Sequence, residues 1–306
     1  MTTFEILLQQ IGLFVIYILA GVTLVRTKVL NRETLEPISK FVIKMALPVM
    51  IFINIIDGVN KEILTGSWSI LLIAAGFYAV MFLVSFGMTK FFHLSENCAG
   101  ICQAMMLFGN IGFMAVPVIS SVFPGNGILY VSVFMVFDQL MLWTLGVKLT
   151  TPPGSGGFEL KKLINPCLIA VIAGMAFFIF QIRLPESIDF AMSAIGDMNT
   201  PLAMLLSGAI MTQLNFKEIL TKRRLFFVAL LRLIVSAGLF CLLLRFLPID
   251  DQMRTVAAVT AACPAGAMTI TMAIMYERDD HYATELFTVT TLLSILTMPL
   301  CMLIAG

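Results

Sequence analysis

The chain has 306 residues, of which 59% are hydrophobic and only 12% charged, with a mean hydropathy of +0.99 and a formal net charge of +1. Soluble domains carry about 25% charged residues, so this composition excludes an ordinary soluble globule and indicates an all-α polytopic membrane protein. A net charge so near zero leaves no electrostatic footprint for nucleic acid.

Because about 20 residues cross the hydrocarbon core, the apolar runs predict ten spans: 4–25, 35–56, 69–90, 97–122, 126–149, 164–182, 186–212, 223–247, 253–277 and 282–304. No Lys or Arg precedes the first run, which is not the pattern of a cleaved signal peptide. Between spans 5 and 6 the chain loses apolar character, and Pro152, Pro153, Gly154, Ser155, Gly156 and Gly157 mark a flexible joint. The chain therefore reads as a single membrane domain, 1–306, made of a first half 1–149, a linker 150–162 and a second half 163–306.

Lys and Arg in short loops set orientation. Thirteen of the nineteen lie in loops after odd-numbered spans, among them Arg26, Lys28, Lys90, Lys148, Arg223, Arg224 and Arg278. Four lie on the other side: Lys61, Arg183, Arg245 and Arg254. Odd loops are thus expected in the cytoplasm and both termini outside, in the cytoplasmic (cell) membrane. With five spans per half, a duplicated half must insert upside down. Ala20-Gly21 recurs as Ala173-Gly174 and Pro48 as Pro201, each 153 residues later. The same offset carries Gly109, Asn110 and Ile111 onto Ala262, Cys263 and Pro264. The expectation is two inverted five-helix repeats.

Spans 4 and 9 are interrupted at their middles, by Gly109-Asn110-Ile111-Gly112 with Pro117, and by Pro264-Ala265-Gly266. Paired broken helices in the two halves of a membrane protein are the best sequence pointer to a binding site. On the predicted topology both second halves start near the midplane and aim free N–H groups and positive dipole ends at one place. Such a place favours an anion. Gly109, Asn110, Ile111, Gly112, Pro264, Ala265, Gly266 and Thr269 are the candidate binding residues, with Thr271 a further hydroxyl. Pro48, Pro117 and Pro201 are candidate hinges. The bland alternative is that Pro117 and Pro264 only kink packed helices.

Four ionisable residues lie deep within spans: Lys44, Asp138, Asp197 and Arg232. Residues of this kind are costly in hydrocarbon and mark function by default. Lys44 and Asp197 are 153 apart, each four residues before its proline, and are expected to pair either structurally or in coupling. Asp138, beside Gln139, is the candidate for coupling to a proton or Na+, the bland alternative being a hydrogen bond to a neighbouring helix. Neither a cofactor nor a metal is expected. The stripe Met268, Met272, Met275 has no Cys or His beside it and reads as packing. The cysteines, including the near pair Cys98 and Cys102, fit no disulfide or zinc pattern, and His93 and His281 fall in predicted loops.

These motifs resemble the auxin efflux carrier family in its short bacterial form, within the wider bile acid/auxin-type transporters. Ala46-Leu47-Pro48 with Ile51-Phe52 is similar to that family's second span, and Asn110-x-Gly112-Phe113 with Pro117 to its fourth. Thr200-Pro201-Leu202-Ala203 with Gly208-Ala209 is similar to its seventh, and Pro264 through Tyr276, Ala283 and Thr297-Met298-Pro299 to its ninth and tenth. Ala115 stands where the family commonly has glycine, and the long central hydrophilic loop of the plant carriers is missing. The resemblance implies ten helices in an inverted repeat, crossed broken helices 4 and 9, and small carboxylates such as malate or malonate as substrates.

The leading expectation is a secondary carrier of a small organic anion working by alternating access, with a homodimer as a candidate assembly. A channel or a non-transporting membrane sensor of the same fold is the alternative. An enzyme is not expected, because paired catalytic carboxylates and a His-Glu-x-x-His run are both missing from the sequence.

Overall fold

The computed structural model describes residues 3–58, 67–92, 96–123, 126–151 and 166–305. The linker prolines and glycines, His93 and the side chains of Cys98, Thr271 and Met275 fall outside the described residues. Among the described residues the chain is helical, with no β-strand and one isolated bridge.

α1 (Thr3–Arg26) places Glu5 in its first turn and Arg26 in its last, each complementing the helix dipole. α2 (Arg32–Phe41) starts with a capping box in which the Asn31 and Thr34 side chains bond reciprocally to backbone N–H groups. It runs through a π-helical segment, Val42–Ala46, into α3 (Leu47–Gly58). α4 (Ser67–Phe91), α5 (Glu96–Leu107), a π segment Ile111–Ala115, α6 (Val116–Val122), α7 (Asn126–Met141), a π segment Leu142–Gly146 and α8 (Val147–Thr150) complete the first half. The second half holds α9 (Pro166–Ile179), α10 (Glu186–Asp197), α11 (Asn199–Met211), α12 (Phe216–Thr221) and α13 (Arg223–Leu230). A π segment Leu231–Ser236 follows, then α14 (Ala237–Leu244), α15 (Asp251–Ala261), α16 (Ala267–Met275) and α17 (Asp280–Ala305).

Among the described residues six runs are long and apolar enough to cross a bilayer: Leu8–Arg26, Glu33–Ile56, Ser69–Phe91, Gly127–Thr150, Arg223–Leu244 and Asp280–Cys301. The other four predicted spans are divided or shorter. Residues 97–122 and 253–277 break near their middles, residues 186–212 divide at Met198 between α10 and α11, and α9 has 14 described residues. Pro48, Pro117 and Pro201 each fall in the first turn of a helical segment that follows an irregular joint. At Pro201, in the first turn of α11, the missing N–H breaks no helix bond. The π segments before Pro48 and Pro117 supply the wider turn that a proline ring needs.

By contacts the chain forms two compact units, each drawing on both halves. The first comprises Met1–Ser67, Gly112–Val136 and Lys161–Gln213. Here α1 packs on α11, and α3 on α9 and α10. Gly21 and Gly208 let α1 and α11 approach at backbone distance: a Cβ on Gly21 would collide with the Leu205 carbonyl, and one on Gly208 with that of Ile18. Small residues are how helices approach when lipid removes the hydrophobic drive. Gly174 of α9 similarly faces Ile55 of α3.

The second unit comprises Trp68–Ile111, Phe137–Leu160 and Leu214–Gly306. α17 contacts α5, α13, α14, α15 and α16. Its entry is pinned by Glu285, which accepts from Lys222 Nζ at 2.6 Å and lies 3.5 Å from His281 Nδ1.

Candidate functional site

Within the second unit two helices stop in mid-span. α5 ends at Leu107 and α15 at Ala261, and each is followed by a short extended peptide. The two peptides pair antiparallel, with Gly109 opposite Ala265. The Asn110 N–H donates to the Pro264 carbonyl at 2.8 Å, and the Gly266 N–H donates to the Phe108 carbonyl at 2.9 Å. Pro264 cannot continue a helix because it lacks an N–H. Gly266 permits the close approach, since a Cβ there would lie 2.9 Å from the Gly109 carbonyl oxygen. Backbone groups that leave their helices thus bond to each other, the condition for irregular backbone at membrane depth.

Side chains complete the arrangement. Arg232, in the π segment between α13 and α14, is 1% exposed and the largest fully buried side chain of the described residues. Its Nη1 donates to the carbonyls of Met106 and, at 3.2 Å, Met105, in the last turn of α5. Its Nη2 donates to the carbonyls of Cys263 at 3.1 Å and Pro264 at 3.3 Å, just past α15. Thr290 of α17 accepts from the Ala265 N–H at 3.2 Å. Asn110 is 3% exposed, and its side-chain Nδ2 is buried without a hydrogen-bond partner. Leaving a buried amide donor unmade costs about 1–3 kcal/mol, so this group is suited to an acceptor supplied from outside the chain. The start of α16 at Ala267 has no side-chain cap.

Asp138 is buried beside the crossing. Tyr78 donates its hydroxyl to Asp138 Oδ1, and Gln139 Nε2 donates to Oδ2 at 3.3 Å. The Tyr78 ring lies 5.8 Å from that of Phe108, whose carbonyl takes part in the crossing.

The candidates from sequence therefore divide. Gly109, Asn110, Pro264, Ala265 and Gly266 meet at the crossing, and Ile111 opens the π segment that follows it. Gly112 belongs to the first unit, where a Cβ would lie 3.1 Å from Leu47 Cδ1. Thr269 is fully buried, and its hydroxyl bonds the Gly266 carbonyl and the Met105 sulfur, each at 2.5 Å. Lys44 and Asp197, both exposed, form no ion pair with each other. The two hydrogen bonds at the crossing are reciprocal, with the donors Asn110 and Gly266, and the acceptors Phe108 and Pro264, each 156 residues apart. Sequence reasoning singled out Arg232 only as one of four ionisable residues deep within spans; its hydrogen-bond partners are carbonyl oxygens. Tyr78 and Thr290 carried no signal, being one tyrosine and one threonine in apolar runs.

A family model described as membrane transport protein matches the chain over residues 6–159 and 155–302. No curated protein matches it. A match over nearly the whole length, on a helical chain with six apolar spans and two broken helices bonded at their breaks, places it in a membrane: the chain belongs to the membrane transport protein family, the auxin efflux carrier family whose motifs it carries.

Proposed function

We propose that the chain is a secondary carrier moving a small organic anion, a mono- or dicarboxylate, across the cytoplasmic membrane by alternating access. The observation that carries this reading is the Asn110 amide, buried and unpartnered at the crossed peptides. Near it α16 starts without a side-chain cap, offering backbone N–H groups and the positive end of a dipole. A carboxylate supplies the acceptors that such donors lack.

Coupling is assigned to Asp138, the carboxylate held by Tyr78 and Gln139, with a proton or Na+ as the driving ion. A buried carboxylate gains or loses its charge with its surroundings, which is what coupling requires.

The reading includes ten crossings in two inverted repeats, with odd loops cytoplasmic. Helix partners support the repeat. α1 packs on α11 while α9 packs on α3, and the 153-residue offset relates α1 to α9 and α3 to α11. The offset takes Gly21 to Gly174 and Ile55 to Gly208, which are the close-contact positions of the two pairs. The reciprocal hydrogen bonds at the crossing have the same exchanged form.

The test is uptake of labelled mono- and dicarboxylates into proteoliposomes holding the purified protein, under imposed proton and sodium gradients. Uptake that follows one gradient, falling about tenfold in Asn110→Ala, is the expected result. No carboxylate uptake under any gradient defeats the anion reading, and Asn110→Ala transporting normally defeats the site.

A further inference from the structure

We infer that Arg232 is a positioning residue of this site: it clamps the C-terminal ends of both broken helices and so holds the two crossed peptides in register. The inference rests on the crossing being the transport site, but its test reads the clamp separately.

Three observations carry it. The guanidinium bonds four carbonyls, two from the last turn of α5 and two just past α15, so one side chain spans both breaks. It is 1% exposed, so water does not substitute for those bonds. A Cβ on Gly109 would lie 2.9 Å from Arg232 Nη2, so the glycine leaves room for the clamp.

The electrostatics agree. A helix C-terminus carries roughly half a negative charge. Two such ends meeting at one place present about one negative charge, which a guanidinium cancels. The fork geometry is equally required: arginine directs donors along fixed, divergent directions, whereas a lysine ammonium is a point donor and cannot reach carbonyls of two helices at once. The π segment around Arg232 adds a residue to its turn and re-aims the side chain. Arg232 touches no ligand in this account; it acts by keeping Asn110 and Gly266 where their hydrogen bonds to Pro264 and Phe108 place them.

Cys263 provides the readout, because its carbonyl is one of the four and its side chain is fully buried. With the other five of the six cysteines replaced, modification of Cys263 by a water-soluble maleimide is timed in reconstituted parent, Arg232→Gln and Arg232→Lys proteins. Uptake of labelled malonate and malate is measured in parallel.

Arg232→Gln is expected to label at least about tenfold faster than the parent, since unmade buried bonds open the crossing. Arg232→Lys restores charge without the fork. It is expected to stay at least about threefold faster in labelling, with a maximal uptake rate below about a third of the parent's. Should Arg232→Gln fail to fold, Gly109→Ala displaces the guanidinium within an intact chain and is expected to raise labelling likewise. Unchanged Cys263 protection in Arg232→Gln or Gly109→Ala overturns the clamp. So does a lysine variant equal to the parent in both labelling and uptake. A parent that takes up no carboxylate removes the anion reading and leaves the labelling comparison standing.

Discussion

Of the twenty polar or charged side chains buried among the described residues, three (Ser132, Asn199 and Ser207) belong to the first unit and seventeen to the second. The first unit joins helices by removing side chains: Gly21, Gly208 and Gly174 let backbones or aliphatic groups meet directly. The second unit also packs through glycine, at Gly100 against the Leu149 carbonyl, and adds polar side chains where α5 and α15 release backbone groups that something must satisfy. Arg232, Thr290 and the paired peptides at Gly109 and Ala265 do so. The difference teaches that part of the buried polar content serves the helix breaks, while the rest lines continuous helices, above all α17 with Glu285, Thr288, Thr291, Ser294 and Thr297. Broken helices need donors for the carbonyls they release, and a surplus donor, Asn110 Nδ2, is the group on which the proposed site rests.

Four substitutions test that contrast. The largest effect is expected in the first unit, at Gly208→Ala. The new Cβ meets the Ile18 backbone, which cannot move aside as a side chain would. A loss of about 3 kcal/mol or more is expected, read as a lowered thermal transition in detergent. A variant as stable as the parent would show that α1 and α11 are not packed through glycine.

Next is Gly266→Ala, whose Cβ lies 2.9 Å from the Gly109 carbonyl oxygen. Spreading the crossed peptides by a fraction of an ångström is expected to lower transport by about a hundredfold, with less loss of stability than Gly208→Ala. Normal transport in this variant would place the site elsewhere.

Asp138→Asn keeps the shape of the side chain but not its charge. About a tenfold loss of concentrative uptake is expected, and the remaining flux no longer follows the proton or sodium gradient. Gradient dependence that survives intact would sink the coupling role. The smallest effect is expected at Ser207→Ala, where the hydroxyl donates only to Ala203 within its own helix. Stability should stay within about 0.5 kcal/mol. A large loss there would mean that the first unit also relies on buried polar groups.

Much of the molecule was legible beforehand. The helical, membrane-spanning character was legible, with six apolar runs of crossing length among the described residues, because apolar run length and bilayer thickness are one-dimensional quantities. The breaks were legible because proline and glycine act on their own backbone. The candidate pair Lys44 and Asp197 was not borne out as an ion pair in this structure, since symmetry of position in the sequence does not fix which way two side chains point. Thr269 was expected to face a ligand, and its hydroxyl bonds the Gly266 carbonyl instead. In a helix's first turn that carbonyl is within a threonine's own reach.

By itself, then, the sequence determined the solvent of this protein, the position of its helices and the two points where they stop, because hydropathy and backbone chemistry are local. Only the tertiary structure decided what the stopped helices bond to. The register of 156 at the crossing is a matter of hydrogen bonds between distant segments. Arg232 answers to carbonyls 127 and 31 residues away, and the Tyr78 partner of Asp138 lies 60 residues before it. Such partners are chosen by where packed helices bring donors and acceptors together, and a donor in hydrocarbon takes the acceptor that packing sets beside it.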